Sequence, residues 1–273
     1  MTIADRLAWA IARHVAVLPA GTAFTATSCA TLGVRIAQEK FGSKLCLCGR
    51  GGAYDLNGIL SLHARHWLFN RRPRAHVILP GVFDTQSEPH ILLATPAQVD
   101  GSANANLSCI GEHGHPKVAF GGTRGLPDAR TVWFVLPNHT PRQLVETVDF
   151  VSTCAANRER PPMLFTGLGT MQWNRVASGW TLVEIAPETD IEELRKQTGF
   201  RFEVSPVLRA LEEMPADLGA LVVEFDPFGL RELDFAMARE AQLAAFERIY
   251  RAEADLVGRD KVPAHKFQGS CRP

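Results

Sequence analysis

The run VDGSANANLS, residues 99–108, interleaves small residues with carboxamides. Asp100-Gly101 and the asparagines are turn formers, so one interpretation is a turn followed by an edge strand. The other interpretation is a loop whose backbone comes close to a ligand, while Asn104 and Asn106 offer amide donors and acceptors. Taken alone, the pattern favours the turn.

A glycine cluster follows in KVAFGGTRGLPDARTV, residues 117–132. Gly121, Gly122 and Gly125 come directly after a predicted strand, where backbone N–H groups can converge on a phosphate or a developing oxyanion. The cluster lacks the Gly-Lys-Ser/Thr ending of a P-loop, and its third glycine is misplaced for a dinucleotide-binding fingerprint. On its own it is equally typical of a tight strand-to-helix turn.

Around these two segments, helical and strand patterns alternate as they do in a parallel α/β sheet. Apolar periodicity predicts helices at residues 4–17 and 28–41, and a long C-terminal helix at about 230–257. A capping box at residues 189–192 predicts a further helix that ends near residue 199. Apolar runs predict strands at residues 44–48, 75–79, 91–94, 117–120, 131–136, 144–151, 163–165 and 180–185. No repeat or low-complexity linker interrupts the chain, so we predict one domain over residues 1–273.

Composition argues against several classes of protein. Lysine plus arginine and aspartate plus glutamate both number 29, so we expect neither nucleic acid nor an anionic membrane as a partner. No apolar run approaches the ~20 residues of a membrane-spanning helix. The N-terminus carries charges where a signal peptide has a continuous apolar core. Six scattered cysteines are typical of buried thiols in a reducing compartment, so we expect a cytoplasmic protein.

Taken together, the segments resemble the β subunits of family I CoA-transferases, such as glutaconate CoA-transferase. In that family a segment of the form aDxxGNxN precedes a glycine-rich GsGGanD turn, as residues 99–108 precede residues 121–125 here. The likeness spans about residues 4–202, and within the family the β-type subunit of the steroid ring-opening CoA hydrolase is most similar. Three more matching segments are LVETVDFVS (144–152), LFTGLGTMQW (164–173) and WTLVEIAPETDIEELRKQTGF (180–200).

The resemblance implies an α/β protein with an open, mostly parallel sheet flanked by helices, the CoA-transferase (NagB/RpiA-like) fold. It also implies an enzyme subunit in a heterodimer or heterotetramer, with the active site between an α-type and a β-type subunit. Coenzyme A then enters as part of an acyl-CoA substrate, and no tightly bound cofactor is expected. In most members a β-subunit glutamate, on the glycine turn after an early strand, attacks the thioester while backbone N–H groups stabilise the oxyanion.

The matching turn in this chain, Cys48-Gly49-Arg50-Gly51-Gly52, contains no glutamate. The nearest carboxylate, Asp55, is displaced, and a helix N-cap explains it. Arg50 cannot be a nucleophile because its guanidinium stays protonated. The catalytic residue is therefore unknown, and three explanations stay open. The partner supplies the carboxylate, Cys48 is an activated thiolate, or the chain is a non-catalytic paralogue that acts as a scaffold.

The predicted substrate- and CoA-binding residues are the two glycine turns and the two asparagines. Arg50 and Arg124 can pair with a substrate carboxylate or with CoA phosphates, although solvent-facing arginines on loops have the same pattern. His113 and His115 have the spacing of some metal ligands, but no third ligand lies nearby, so no metal is predicted. The full set is Gly49, Arg50, Gly51, Gly52, Asn104, Asn106, Gly121, Gly122, Arg124 and Gly125.

Overall fold

The computed structural model describes residues 2–26, 28–48, 53–54, 58–62, 75–76, 90–120, 129–235 and 238–257. Contacts divide the chain into two compact units, Met1–Ala236 and Met237–Pro273. The first unit carries the sheets and four helices, and the second carries the last helix. The organisation of the chain as one domain stays a prediction.

The elements follow one another in the rhythm that the sequence predicts. The helices are α1 (Ile3–Ala16), α2 (Ser28–Phe41), α3 (Ile191–Lys196), α4 (Gly219–Phe225) and α5 (Arg239–Val257), with 3-10 turns at Ala216–Leu218 and Leu230–Asp234. The strands are β1 (Ala23–Thr25), β2 (Cys46–Cys48), β3 (Ala53–Tyr54), β4 (Ala75–His76), β5 (His90–Ala94), β6 (Gln98–Val99), β7 (Asn104–Asn106), β8 (Cys109–Ile110), β9 (Val118–Ala119), β10 (Thr131–Leu136), β11 (Thr153–Cys154), β12 (Met163–Thr166), β13 (Gly169–Asn174), β14 (Gly179–Ile185) and β15 (Phe202–Ala210).

The main sheet has ten strands in the order β15-β14-β13-β12-β10-β5-β1-β2-β3-β4. Its five central strands, from β12 to β2, are all parallel to their neighbours. Antiparallel pairs flank them on both sides, and β15 returns to a parallel pairing with β14. Two small sheets, β11-β7-β6 and β8-β9, accompany the main sheet. The predicted open, mostly parallel α/β sheet is confirmed.

The two faces of the main sheet pack against different partners. Phe134 on β10 shares a buried cluster with Ala105 of the small sheet and Leu194 of α3, so this face is covered by those two elements. Successive strand residues point to opposite faces, and on the other face Phe165 lies 5.4 Å from the ring of His14 on α1. All six residues of β10 are buried, as expected for a central strand covered on both sides.

Helices α1 and α2 form a close pair. Thr2 and Asp5 make a capping box at the start of α1, in which each side chain accepts a backbone N–H of the other residue. At Gly33 in α2, an added Cβ would lie 2.8 Å from the Ala8 carbonyl oxygen and from Ile11, so glycine permits the close approach. None of the helices in the described ranges is long and apolar enough to span a bilayer.

Two of the strand predictions require correction. Residues 144–151 do not form a strand. Within them only Leu144 makes a bridge, to Val99. The chain bends at Asp149, whose carboxylate accepts a hydrogen bond from Gly111 N and whose backbone N–H donates to Gln98 Oε1. Residues 117–120 do contain β9, but they are exposed in a hairpin with β8 rather than buried on both faces.

Two helix starts also differ from prediction. The N-cap of α3 is Asp190 rather than Thr189, since the Asp190 carboxylate accepts from Glu192 N and Glu193 N. The predicted C-terminal helix begins at Arg239, and residues 230–234 form a 3-10 turn instead. The cause is Asp226, which accepts from Leu230 N and the Arg231 guanidinium and holds the turn against the rest of the first unit.

Gly199→Ala is expected to lower the free energy of unfolding by about 1–3 kcal/mol, because overpacking forces the surroundings to shift. An added Cβ at Gly199 would lie 2.6 Å from Leu144 O and 2.9 Å from Glu146 N, backbone atoms that cannot move aside like a side chain. The matched control is Gly219→Ala, whose Cβ would meet nothing within 4 Å and whose φ is −57°. Urea denaturation measures both variants, and equal losses in the two would contradict the packing argument.

Candidate functional site

The carboxyl ends of the parallel strands define the candidate site. In open α/β sheets, ligands bind in the crevice outside this edge. Residues 95–108 follow β5, residues 137–144 follow β10, and the first turn of α2 follows β1. The segment after β5 therefore starts at this edge, and its strands β6 and β7 then pack along one face of the main sheet, where the backbone oxygen of Asp100 reaches Trp180 near the start of β14.

Asp100 organises the turn at the start of this run. Its carboxylate is buried, and Oδ1 accepts from Ser102 N at 2.9 Å and from Asn104 N at 3.0 Å. Its Oδ2 accepts from Asn104 Nδ2 at 3.1 Å, and its backbone oxygen accepts from Trp180 Nε1 at 3.0 Å. Ala103 is fully buried and has φ 57°, a left-handed conformation that an alanine rarely adopts. The hydrogen bonds of the Asp100 carboxylate to the residues on either side hold it there.

The two predicted asparagines differ in their environment. Asn106 is fully buried, and its Nδ2 donates to Gln98 Oε1 and to Cys109 O. Its Oδ1 accepts from Ser108 N and Cys109 N, so the whole amide is used within the chain. Asn104 is half-buried, and its side chain makes only the bond to Asp100 within the described residues. A direct contact with a ligand therefore suits Asn104 better than Asn106.

The other predicted binding residues lie outside the described residues. They are Gly49, Arg50, Gly51, Gly52, Gly121, Gly122, Arg124 and Gly125. Cys48, the last residue of β2, is buried and pairs with Thr25 of β1, so β2 ends at the carboxyl edge of the parallel strands. The role of these glycines and arginines stays a prediction.

His139, which the sequence patterns did not single out, ties three elements together beside the site. It is buried, with Nδ1 3.0 Å from Thr166 Oγ1 at the end of β12 and Nε2 2.8 Å from Thr198 Oγ1 after α3. Burial lowers the pKa of His139 to about 4, so the imidazole is neutral at physiological pH. We assign it to fixing the loop after β10 rather than to proton transfer.

Asp234 is a second residue that sequence patterns could not find. Its Oδ2 accepts from Cys29 N in the first turn of α2 at 2.9 Å, across 205 positions of sequence. Burial raises the pKa of Asp234 to about 6, and the charge of Asp226 acts in the same direction, against the hydrogen bonds from Cys29 and Ser28. The 3-10 turn Leu230–Asp234 is thereby attached to the carboxyl edge of the sheet.

As pH rises from 4 to 7, the free energy of unfolding of Asp234→Asn is expected to increase relative to that of the wild type. A raised folded-state pKa means that the protonated acid stabilises the fold at low pH, and that this contribution is lost as pH rises through about 6. The asparagine stays neutral and can still accept from Cys29 N. Chemical denaturation of both proteins at several pH values measures the difference, and a difference independent of pH would contradict the assignment.

No metal site is evident in the parts of the chain that the structure describes, because no group of three or more His, Cys, Asp or Glu side chains could hold an ion. His113 instead stacks on Phe150, with ring centroids 4.8 Å apart. Cys29, Cys46, Cys48 and Cys109 are buried thiols, and Cys154 is an exposed one. The expected absence of a metal and of a tightly bound cofactor stays a prediction.

Comparison with known proteins bears on the family. No family model matches the chain. The β subunit of the glutaconate CoA-transferase of Acidaminococcus fermentans is 25% identical over 146 residues, which are 48% of this chain and 55% of that subunit. The chain thus matches about half the length of this curated relative.

Solved structures extend the likeness over most of the chain. A variant of the decarboxylase AibA/AibB has a TM-score of 0.75 at 23% identity and covers 86% of this chain and 99% of its own. The glutaconate CoA-transferase from Acidaminococcus fermentans has a TM-score of 0.70 at 18% identity and covers 83% of this chain and 95% of its own. The resemblance predicted from the sequence is confirmed: the chain has the fold of the CoA-transferases, and it is similar in sequence to a β-type subunit of their family I.

Proposed function

We propose that the chain is the β-type subunit of a heteromeric CoA-transferase or acyl-CoA hydrolase that acts on a carboxylated acyl-CoA in the cytoplasm. The observation that carries the proposal is the match to the β subunit of glutaconate CoA-transferase, extended in structure over 83% of this chain. The relatives AibA/AibB consist of two components, which supports an α-type partner. Coenzyme A is then the leaving or transferred group of the substrate.

The catalytic carboxylate, in this proposal, comes from the α-type partner. The turn after β2 reads Cys48-Gly49-Arg50-Gly51-Gly52 and offers none. Two carboxylates of this chain that could be considered are already engaged, Asp234 with Cys29 N after β1 and Asp100 of the asparagine-rich run with three donors. Carboxylate attack on a thioester needs an oxygen that is not held by such donors, and a nearby oxyanion hole. This chain would supply the binding walls and backbone donors.

A second candidate is a non-catalytic paralogue that assembles with an active homologue or stabilises it. The observation that favours it is the same missing glutamate, because a subunit that lost its nucleophile can persist as a scaffold. The two functions differ in one respect that can be measured: only the first makes acyl-CoA breakdown depend on this chain.

Co-expression with candidate α-type subunits tests the proposal. The complex is purified through a tag on this chain, and consumption of acyl-CoA is followed with and without an added carboxylic acid. We expect a partner to co-purify and thioester to be consumed only by the complex. Dependence on the added acid then identifies a transferase, and its absence a hydrolase. The outcome that favours the scaffold is a chain that purifies alone, binds no coenzyme A and consumes no thioester. In that case no tested partner would give activity.

A further inference from the structure

The two ends of the small sheet β11-β7-β6 lie towards opposite ends of the parallel strands. At one end, the backbone oxygen of Asp100 accepts from Trp180 near the start of β14. Strands β14 and β12 are parallel, because each pairs antiparallel with β13, so this end lies beside the amino ends of the parallel strands. At the other end, Asn106 O accepts from Ala97 N, in the segment that leaves the carboxyl end of β5. Residues 107–120 therefore leave the small sheet on the side of the carboxyl edge.

Residues 107–120 contain the hairpin of β8 and β9, which is fixed against the segment before β11. Three contacts join the two: Gly111 N donates to Asp149 Oδ2 at 2.7 Å, the rings of His113 and Phe150 stack with centroids 4.8 Å apart, and Ser108 Oγ lies 2.7 Å from Ser152 Oγ. Because these contacts are spread from the base of the hairpin to its turn, they hold its two faces in a defined orientation.

One face of this hairpin is apolar and exposed. Ile110 and Val118 pair directly, so their side chains share a face, and Phe120, two positions after Val118, points the same way. Cys109 points to the opposite face and is buried. Val118 is 49% and Phe120 43% exposed, and Val151 in the adjoining segment is 53% exposed. These are three of the eleven large apolar side chains that are exposed among the described residues, so exposure of this kind clusters here.

The place of this face decides what can cover it. In the proposed function, on which this inference rests, the catalytic carboxylate comes from the α-type partner, because the turn after β2 contains none. A partner that supplies this group has to lie against the carboxyl edge, which is the side of the sheet on which the hairpin lies. The centre of a protein interface is depleted in charge and enriched in aromatic residues, which suits this face. The phosphates of coenzyme A and the carboxylate of an acyl group gain nothing from it, which disfavours the substrate as its occupant.

We propose that the apolar face of the β8–β9 hairpin, formed by Ile110, Val118 and Phe120, is a docking surface for the α-type partner. A stable interface buries roughly 800 Å² of each partner. Three side chains cannot supply that area alone, so the face is one part of an interface that continues along the carboxyl edge. The amino ends of the strands, including the turn between β13 and β14, stay outside this interface.

Val118→Glu tests the docking surface by adding a charge to it. The α-type subunit that co-purifies with the wild-type chain is immobilised, and biolayer interferometry gives the Kd of each full-length variant. We expect Val118→Glu to raise the Kd about 10-fold, because a carboxylate would have to lose its water in an apolar contact. Phe120→Ala, which removes the ring without adding charge, should act in the same direction. The matched control is Val176→Glu, the same change at a 98% exposed valine in the turn between β13 and β14, and it should leave the Kd unchanged.

Hydrogen exchange on the wild-type chain gives a second readout that needs no substitution. The partner should slow exchange at the amides of residues 109–120, while those of residues 174–179 keep their rates. Unchanged Kd in Val118→Glu, together with unchanged exchange in residues 109–120, would overturn the docking surface and leave the proposed function intact. If Val118→Glu fails to fold, the exchange rates of the wild type decide alone.

Two further outcomes would also decide against the docking surface. Light scattering gives the mass of the wild-type chain without its partner, and a homodimer that Val118→Glu converts into monomers would assign the face to a second copy of this chain. A wild-type chain with which no α-type subunit associates would overturn the proposed function, and the docking surface with it.

Discussion

Glu184→Ala is expected to lower the free energy of unfolding by about 3–5 kcal/mol, the cost of leaving a buried charge without its partner. Glu184 on β14 has a fully buried side chain. Its Oε1 accepts from Arg13 at 3.0 Å and lies 3.3 Å from an Arg209 nitrogen, and its Oε2 lies 3.1 Å from His14 Nε2. Removal of the carboxylate leaves Arg13, whose side chain is only 17% exposed, with the exposed Glu212 at 3.3 Å in place of a buried partner.

The matched control is Glu188→Ala. Glu188 also pairs with an arginine of α1, Arg6, but its side chain is 57% exposed. Exposed ion pairs contribute about 1 kcal/mol or less, so the control should change stability little. Guanidinium denaturation followed by circular dichroism at pH 7 measures both variants. If the two losses were equal, burial would not be what gives the Glu184 network its strength.

The same network predicts a pH dependence. Burial alone raises the pKa of Glu184, but the hydrogen bond and charge of His14 and the charge of Arg13 outweigh it and hold the pKa below its ordinary value of 4.5. A lowered folded-state pKa means that the stabilisation is complete above the unfolded pKa and is lost as pH falls through the folded one. The difference in stability between wild type and Glu184→Ala should therefore narrow below pH 4.5.

The parts of the fold that could be predicted are those that local patterns encode. Helix α2 spans Ser28–Phe41, as its apolar stripe and the following Gly42 indicate. Strand β10 spans Thr131–Leu136, because a continuous apolar run can only be buried from both sides. In each case the residues that decide the element lie within the element or directly next to it.

The parts that were missed are decided by distant contacts. Residues 144–151 are as apolar as a strand, yet Asp149 is drawn away by Gly111 and Gln98 of other segments. The predicted start of the last helix was wrong because Asp226 captures the N–H of Leu230. Asp234 reaches Cys29 across 205 positions, and no periodicity within a window of the chain can report such a contact.

For the candidate site, the sequence indicated which segment is involved but not how its side chains are arranged. The run 99–108 follows β5 along the chain, and its part in ligand binding stays a prediction. No local pattern distinguishes Asn104 from Asn106, since both are asparagines two positions apart on one strand. Burial distinguishes them, because the neighbours that surround Asn106 come from β6 and from the start of β8.

Trp180→Ala is expected to lower the free energy of unfolding by about 3–5 kcal/mol, as large-to-small changes of buried aromatic residues do. Trp180 is 1% exposed and packs edge-on against Trp173 and Phe134, at centroid distances of 5.4 and 6.4 Å. Because its Nε1 also donates to the backbone oxygen of Asp100, the core and the candidate site share this one side chain.

Trp180→Phe separates the two contributions. The variant keeps most of the ring but cannot donate to Asp100, so the turn that orients Asn104 should loosen even where the core holds. We expect faster hydrogen exchange at the Ser102 and Asn104 amides, both of which are bound to the Asp100 carboxylate. The matched control is Trp173→Phe, since Trp173 is also buried but no bond joins it to the turn in the described structure. Equal exchange rates in the two variants would mean that the Asp100 turn is held by its own side-chain bonds, and that the core does not position the site.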